Sequence, residues 1–217
     1  MATDRVMSQR WATGRVEAFS DGVFAIAITL LVLEIKIEPA GFEHLWRALA
    51  DEWPAYLAFV TSFLTVGGVW LAHHGLFTRL RAVDPVLMRL NILLLMAVSF
   101  LPFPTALMAE ALQESRDAER AAVVVYGTTA LIIELLMAAS WRYAGSRPGV
   151  LSDPDPSLPE GVDRRGGTLS VVLYAAAIAV GVLLFPRLAA FGYLAVAAVA
   201  VLSARGEGRL TLHGPGH

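Results

Sequence analysis

Arg15, Glu17, Ser20 and Asp21 stand in the first turns of an otherwise apolar stretch, Arg15–Ile37. A charge inside a bilayer is costly and persists mainly where it pairs with another group or faces water. Only twelve uncharged residues separate Asp21 from Glu34, whereas a helix surrounded by lipid runs about 20 apolar residues. The spacing predicts a membrane helix that faces protein or a water-filled path on at least one side. Along it, Ile26, Leu30 and Leu33 fall at i, i+4 and i+7 on one narrow face, with Gly22 and Thr29 close by. Such a stripe suits a packing seam or a lipid face. The charged start of the same helix also admits a hydrophobic constriction, which gates by dewetting and selects by demanding partial ion dehydration. Ala25, Ala27 and Gly22 offer small surfaces for close helix approach.

Other polar residues lie in apolar surroundings further along the chain. Trp70, His73, His74 and Phe77 share one block. The two histidines are adjacent, so on a helix they point about 100° apart. That geometry favours one of them as a hydrogen-bond partner of Asp21 or Ser20 over a shared metal ion. Arg15 and Asp21 are six residues apart, about 120° around a helix. Both are therefore expected to bind groups on the second and third spans, with His73 and Asn91 as candidates. Asn91 and Ser99 lie in the third block, ahead of Pro102-Phe103-Pro104, which should end or kink that helix. Glu134 is a lone acid in the middle of the fourth block. It reads either as a functional acid or as a neutral carboxyl bonded to a neighbour.

These residues must be held by membrane-spanning helices. The chain is 56% hydrophobic and 17% charged, with a mean hydropathy of +0.60, outside the range of ordinary soluble domains. Six apolar blocks fall at 18–33, 53–77, 86–108, 121–141, 168–185 and 188–204. The expected fold is an all-α integral membrane protein with six spans in one domain, 1–217. A Pro-rich stretch at 145–167 forms its longest linker. Pro186 and Arg187 alone separate the last two blocks, which predicts a tight hairpin. With both termini on one side, twelve Lys and Arg residues lie there and five on the other. The expectation is a cell-membrane, multi-pass protein with cytoplasmic N- and C-termini. Residues 1–11 lack an apolar leader core, so the first span should act as its own insertion signal. The acid-rich outer connections suit either a plain solvated surface or a cation-concentrating pore mouth.

The chain has no cysteine and no phosphate loop, nucleophile elbow or metalloenzyme ligand spacing. An enzyme is not expected, nor a cofactor, a bound metal or a nucleic-acid partner. A carrier that couples transport to protons through Asp21, His73 and Glu134 is the alternative. Transporters tend to show repeats and broken midplane helices, and no convincing repeat is visible here.

Arg15, Phe19, Ser20 and Asp21 form Arg-x-x-x-Phe-Ser-Asp, which resembles the signature of the transmembrane protein 175 family of potassium channels. Trp70, His73, His74, Asn91 and the run Ser99–Thr105 look like further hallmarks of that family. The resemblance covers most of the first three spans. It implies a homotetramer in the lipid bilayer whose pore is lined by the first helix of each subunit. Ile26 would fall at the constriction, with Leu30 and Leu33 further along and Thr29 as a polar layer. Arg15, Ser20, Asp21, His73 and Asn91 would form a structural polar network. Potassium and other monovalent cations would be the permeant species. No Thr-Val-Gly-Tyr-Gly filter occurs in the chain, so selectivity through rings of backbone carbonyls is not expected.

Overall fold

The computed structural model describes residues 12–37, 39–147, 150–151, 171–179 and 186–205. In chain order the helices are α1 (Thr13–Leu31), α2 (Leu45–Asp51), α3 (Trp53–Phe77), α4 (Pro85–Phe100), α5 (Pro102–Ala111), α6 (Arg116–Ser146), α7 (171–179) and α8 (Pro186–Arg205). Short 3-10 turns at Val32–Glu34 and Pro39–His44 connect α1 to α2. Among the described residues four helical stretches are long and apolar enough to cross a membrane: Thr13–Glu34, Trp53–Phe77, Pro85–Ala111 and Arg116–Ser146. Arg187–Leu202 is a shorter apolar helix. Most of the 145–167 linker and the ends of the fifth apolar block lie outside the described residues, as does the turn into the 186–187 hairpin.

Local chemistry sets the helix ends. Pro85 occupies the first turn of α4, where its missing N–H costs nothing. Asp84 caps that turn by accepting from the backbone N–H groups of Val86 and Leu87 at 3.0 and 2.9 Å. The Tyr143 hydroxyl donates to the other Asp84 oxygen at 2.6 Å, which ties the start of α4 to the end of α6. Pro102 divides the third span into α4 and α5 at Leu101, because proline cannot donate to the helix ladder. Ser115 caps α6, and Asp117 and Glu119 in its first turn complement the helix dipole. Glu119 is buried and accepts from Arg187 Nε at 2.8 Å, a bond that pins α8 against α6.

The helix α3 is central and packs on α1, α5, α6 and α8. Two of its buried hydroxyls, Ser62 and Thr65, are bonded across the bundle, whereas Thr61 Oγ1 is buried with no hydrogen-bond partner among the described residues. Ser62 pairs with Thr105 at 2.7 Å and donates to the Tyr126 hydroxyl at 3.2 Å, while Thr65 meets the Tyr174 hydroxyl at 3.2 Å. The Tyr193 hydroxyl donates to the Val123 carbonyl at 3.0 Å. Three tyrosines from α6, α7 and α8 thus pack as one cluster, with ring centroids 5.3 Å apart for Tyr126–Tyr193 and 5.8 Å for Tyr174–Tyr193. Gly127 leaves the room that Tyr193 needs: a Cβ there would collide with the Tyr193 hydroxyl and lie 2.6 Å from Ile178 Cγ1.

Gly127→Ala is therefore expected to destabilise the fold by roughly 1–3 kcal/mol through overpacking. At Gly68 an added Cβ would meet Ala200 at an ordinary 3.5 Å, so Gly68→Ala should be close to neutral. Thermal unfolding of the two purified variants in detergent checks the contrast.

Candidate functional site

The helix α1 has three unlike faces. Val16, Ser20, Phe24, Ala27 and Leu31 are buried and form the seam against α3 and α4. Glu17 and Asp21 lie on one flank, toward α3. The remaining face is bare: Phe19, Ile26, Leu30 and Leu33 are 63%, 62%, 41% and 62% exposed. Gly22, Ala25 and Thr29 are exposed beside them. Leucine and isoleucine are good helix formers or fit apolar surroundings wherever they point, so sequence alone leaves the rotation of α1 undetermined. Polar contacts determine it.

Those contacts form two rows. In the buried row Asn91 of α4 bridges α1 and α3. Its Nδ2 donates to Ser20 Oγ at 3.0 Å, and Ser20 Oγ donates to the Val16 carbonyl at 2.9 Å. Asn91 Oδ1 lies 2.9 Å from His73 Nε2. An amide oxygen only accepts, so Nε2 carries the hydrogen and the chain runs His73, Asn91, Ser20, Val16. The His73 ring is held between Phe24, edge-on at 5.4 Å, and Phe77, stacked at 4.1 Å. In the outer row the Trp70 indole donates to Asp21 Oδ1 at 2.8 Å, and Glu17 Oε1 lies 3.0 Å from His74 Nδ1. Trp70 also stacks on His74 at 5.9 Å. Successive turns of α1 are thereby latched to successive turns of α3.

Three expectations need correction. Asp21 binds neither His73 nor Asn91; Trp70 is its partner and Ser20 takes Asn91, because Ser20 lies on the seam and Asp21 on the flank. Arg15 stands outside the polar network. It is exposed and has no hydrogen-bond or ion-pair partner among the described residues, because its position on the helix is on the bare face. Ala27 is 2% exposed and belongs to the intrasubunit seam, so only Gly22 and Ala25 present small surfaces outward. Sequence reasoning missed Glu17 with His74, and Phe24 against His73. The recurrence of Val16, Ser20, Phe24, Ala27 and Leu31 at helical spacing was the available signal for the seam.

Thr29 Oγ1 donates to the Ile26 carbonyl at 2.9 Å, which leaves its oxygen lone pairs on the exposed side. Glu134 makes no hydrogen bond among the described residues; it stands on α6 near Tyr174, apart from Asp21 and His73 at the α1–α3 contact. No group of three or more His, Asp or Glu side chains is placed to hold a metal ion among the described residues.

Fold and site together define a polytopic α-helical membrane protein whose first helix is anchored by polar bonds on one side and bare on the other. A family model described as "Endosomal/lysosomal potassium channel TMEM175" matches residues 15–102, a range that holds every residue of both polar rows. A potassium channel of Streptomyces collinus is 49% identical over 148 residues, covering 68% of this chain and 71% of that protein. A potassium channel of Chamaesiphon minutus is 45% identical over 146 residues, covering 64% and 70%. The crystal structure of a lysosomal potassium-selective channel TMEM175 homologue from Chamaesiphon minutus superposes with a TM-score of 0.76 at 37% identity, covering 88% of this chain and 97% of that one. The chain belongs to the TMEM175 family of potassium channels. It is a channel protein and not an enzyme.

Among the described residues Asn91 is the hydrogen-bond link between His73 and Ser20. Asn91→Ala strands a buried imidazole N–H, at a cost of about 1–3 kcal/mol. Asp21→Asn keeps an acceptor for the Trp70 indole and is expected to leave stability nearly unchanged. Melting curves in detergent should rank Asn91→Ala well below Asp21→Asn and wild type.

Proposed function

We propose that this chain forms a homotetrameric, potassium-permeable cation channel of the cell membrane, with the bare face of α1 from each subunit lining the pore. The observation that carries this reading is the uncovered apolar stripe. Of the four helical stretches among the described residues that are long and apolar enough to cross a membrane, the first is the least buried, with 28% of its most apolar part covered against 39%, 44% and 44% for the others. Its exposed centre combines large apolar residues with Gly22, Ala25 and a polar Thr29. One helix cannot enclose a conduction path, and closed cyclic symmetry solves this with copies of one surface. Four copies suit a narrow axis lined by side chains, and the resemblance described above supports that number.

In this reading Ile26 forms the narrowest ring, Thr29 a polar layer one turn on, and Leu30 and Leu33 a second apolar zone. An ion crossing such a ring sheds part of its hydration, and potassium loses water at lower cost than sodium. Selectivity then comes from dehydration at an apolar constriction and needs no cofactor. Ser20, Asp21, His73 and Asn91 act structurally, by holding α1 at the rotation that presents Ile26. The whole chain, 1–217, forms one channel domain of six spans, with the termini on the cytoplasmic side as the charge distribution favours. The carrier alternative finds less support, because Glu134 is not brought to the Asp21 and His73 region. Unitary currents, as against slow saturable flux, separate the two.

If Ile26 sets the narrowest ring, Ile26→Asn wets it and lowers the cost of keeping water around an ion. Reversal potentials in bilayers with asymmetric potassium and sodium are expected to shift toward equal permeability. An unchanged reversal potential and conductance would remove Ile26 from the ion path.

A further inference from the structure

Arg15 is a charge that the polar network leaves unused. Ile26 is eleven positions further along the chain, and at 3.6 residues per turn this places the two within about 20° of the same line along α1, roughly 16 Å apart. Phe19 and Gly22 lie between them on the same exposed face. The acids nearby in sequence point elsewhere. Glu17 lies about 160° from Arg15 around the helix and Asp21 about 120°, and both are engaged by α3, through His74 and Trp70. No carboxylate pairs with Arg15 among the described residues. The bare stripe of α1 thus carries no charge from Phe19 to Leu33, with Thr29 its polar side chain, and ends in a solvent-facing guanidinium.

We propose that Arg15 lines the cytoplasmic mouth of the conduction path and limits the entry of cations from that side. The proposal rests on the pore assignment above and adds a determinant of conductance to it. A guanidinium repeated around the axis makes the local potential positive and lowers the cation concentration at that mouth, since a cleft lined by one sign of charge focuses its field. The effect falls on outward current more than on inward current, because the mouth is the entrance for one and the exit for the other. It is screened as ionic strength rises, with a Debye length of about 30 Å at 0.01 M and about 10 Å at 0.1 M.

The absence of native cysteine allows a direct test on Arg15→Cys channels in planar bilayers. Each channel is recorded before and after treatment with a methanethiosulfonate that carries either a trimethylammonium or a sulfonate group. Arg15→Cys is expected to conduct more outward current than wild type, by about two-fold or more at low salt. The cationic reagent should return the current toward the wild-type value. The anionic reagent should raise it further, and the spread between the two should shrink in high salt. Ile26→Cys, treated in the same way, reports on the pore itself. Block at Ile26→Cys with no dependence on reagent charge at Arg15→Cys overturns the role of Arg15 alone. No response at Ile26→Cys overturns the pore assignment and this proposal with it. If Arg15→Cys does not assemble, Arg15→Lys and Arg15→Gln carry the test: outward conductance kept by Lys and raised by Gln supports the brake, and equal conductance in both overturns it.

Discussion

The hydrogen-bond chain through Asn91 is the constraint on which the rest of the site depends. An apolar helix in a bilayer has little reason to choose one rotation, because lipid and protein offer it similar surroundings. A buried amide that must satisfy Ser20 on one side and His73 on the other removes that freedom. With Ser20 turned inward, Phe24 falls against the His73 ring, Ala27 and Leu31 complete the seam, and the opposite line of Arg15, Phe19, Ile26, Leu30 and Leu33 is turned outward. Trp70 and His74 repeat the anchoring one flank away and fix the height of α1 along α3. The polar residues do not need to touch an ion to matter to conduction. In the proposed pore they set which side chains face the axis.

This division separates two kinds of packing in the molecule. Within the subunit, contacts are dense and most buried polar groups are matched: Ser62, Thr65, Thr105, Tyr126 and Tyr174 share hydroxyl bonds, Tyr193 donates to a backbone carbonyl, and Glu119 meets Arg187. Such bonds are individually modest in membranes, and their value lies in specifying one arrangement of α3, α5, α6, α7 and α8. The outer face of α1 has none of this. Its side chains are branched apolar residues with one hydroxyl already bonded to its own backbone. If this face lines the pore as proposed, it offers an ion few ligands beyond the Thr29 oxygen, and discrimination there comes from the cost of removing water and from the width of the ring.

Much of the architecture was legible in the sequence because apolar blocks and proline positions act locally. The second span shows it, with α3 running from Trp53 to Phe77, and so does the break at Pro102. The positions of the helix α1 faces were legible as periodicity, since residues four and seven apart share a side whatever surrounds them. Partner choice was not. Whether Asp21 meets His73 or Trp70 depends on the height of α1 against α3, which no local pattern encodes. Arg15 looked like a member of the polar group because it adjoins it in sequence, yet it stands about 140° from Ser20 around the helix. The Tyr126, Tyr174 and Tyr193 cluster was invisible for a similar reason: its members are far apart in the chain and meet only where Gly127 leaves space.

The central claim is that the exposed line of α1 faces the ion path while the Asn91-anchored line does not. Cysteine substitution along α1, one position at a time in this cysteine-free chain, with thiol reagents applied during single-channel recording, tests it most directly. The account predicts block or altered conductance at Ile26, Leu30 and Leu33 and none at Phe24, Ala27 and Leu31, in channels that assemble normally. Current that is untouched at Ile26, Leu30 and Leu33, or a response that follows the Phe24, Ala27 and Leu31 line instead, would contradict it.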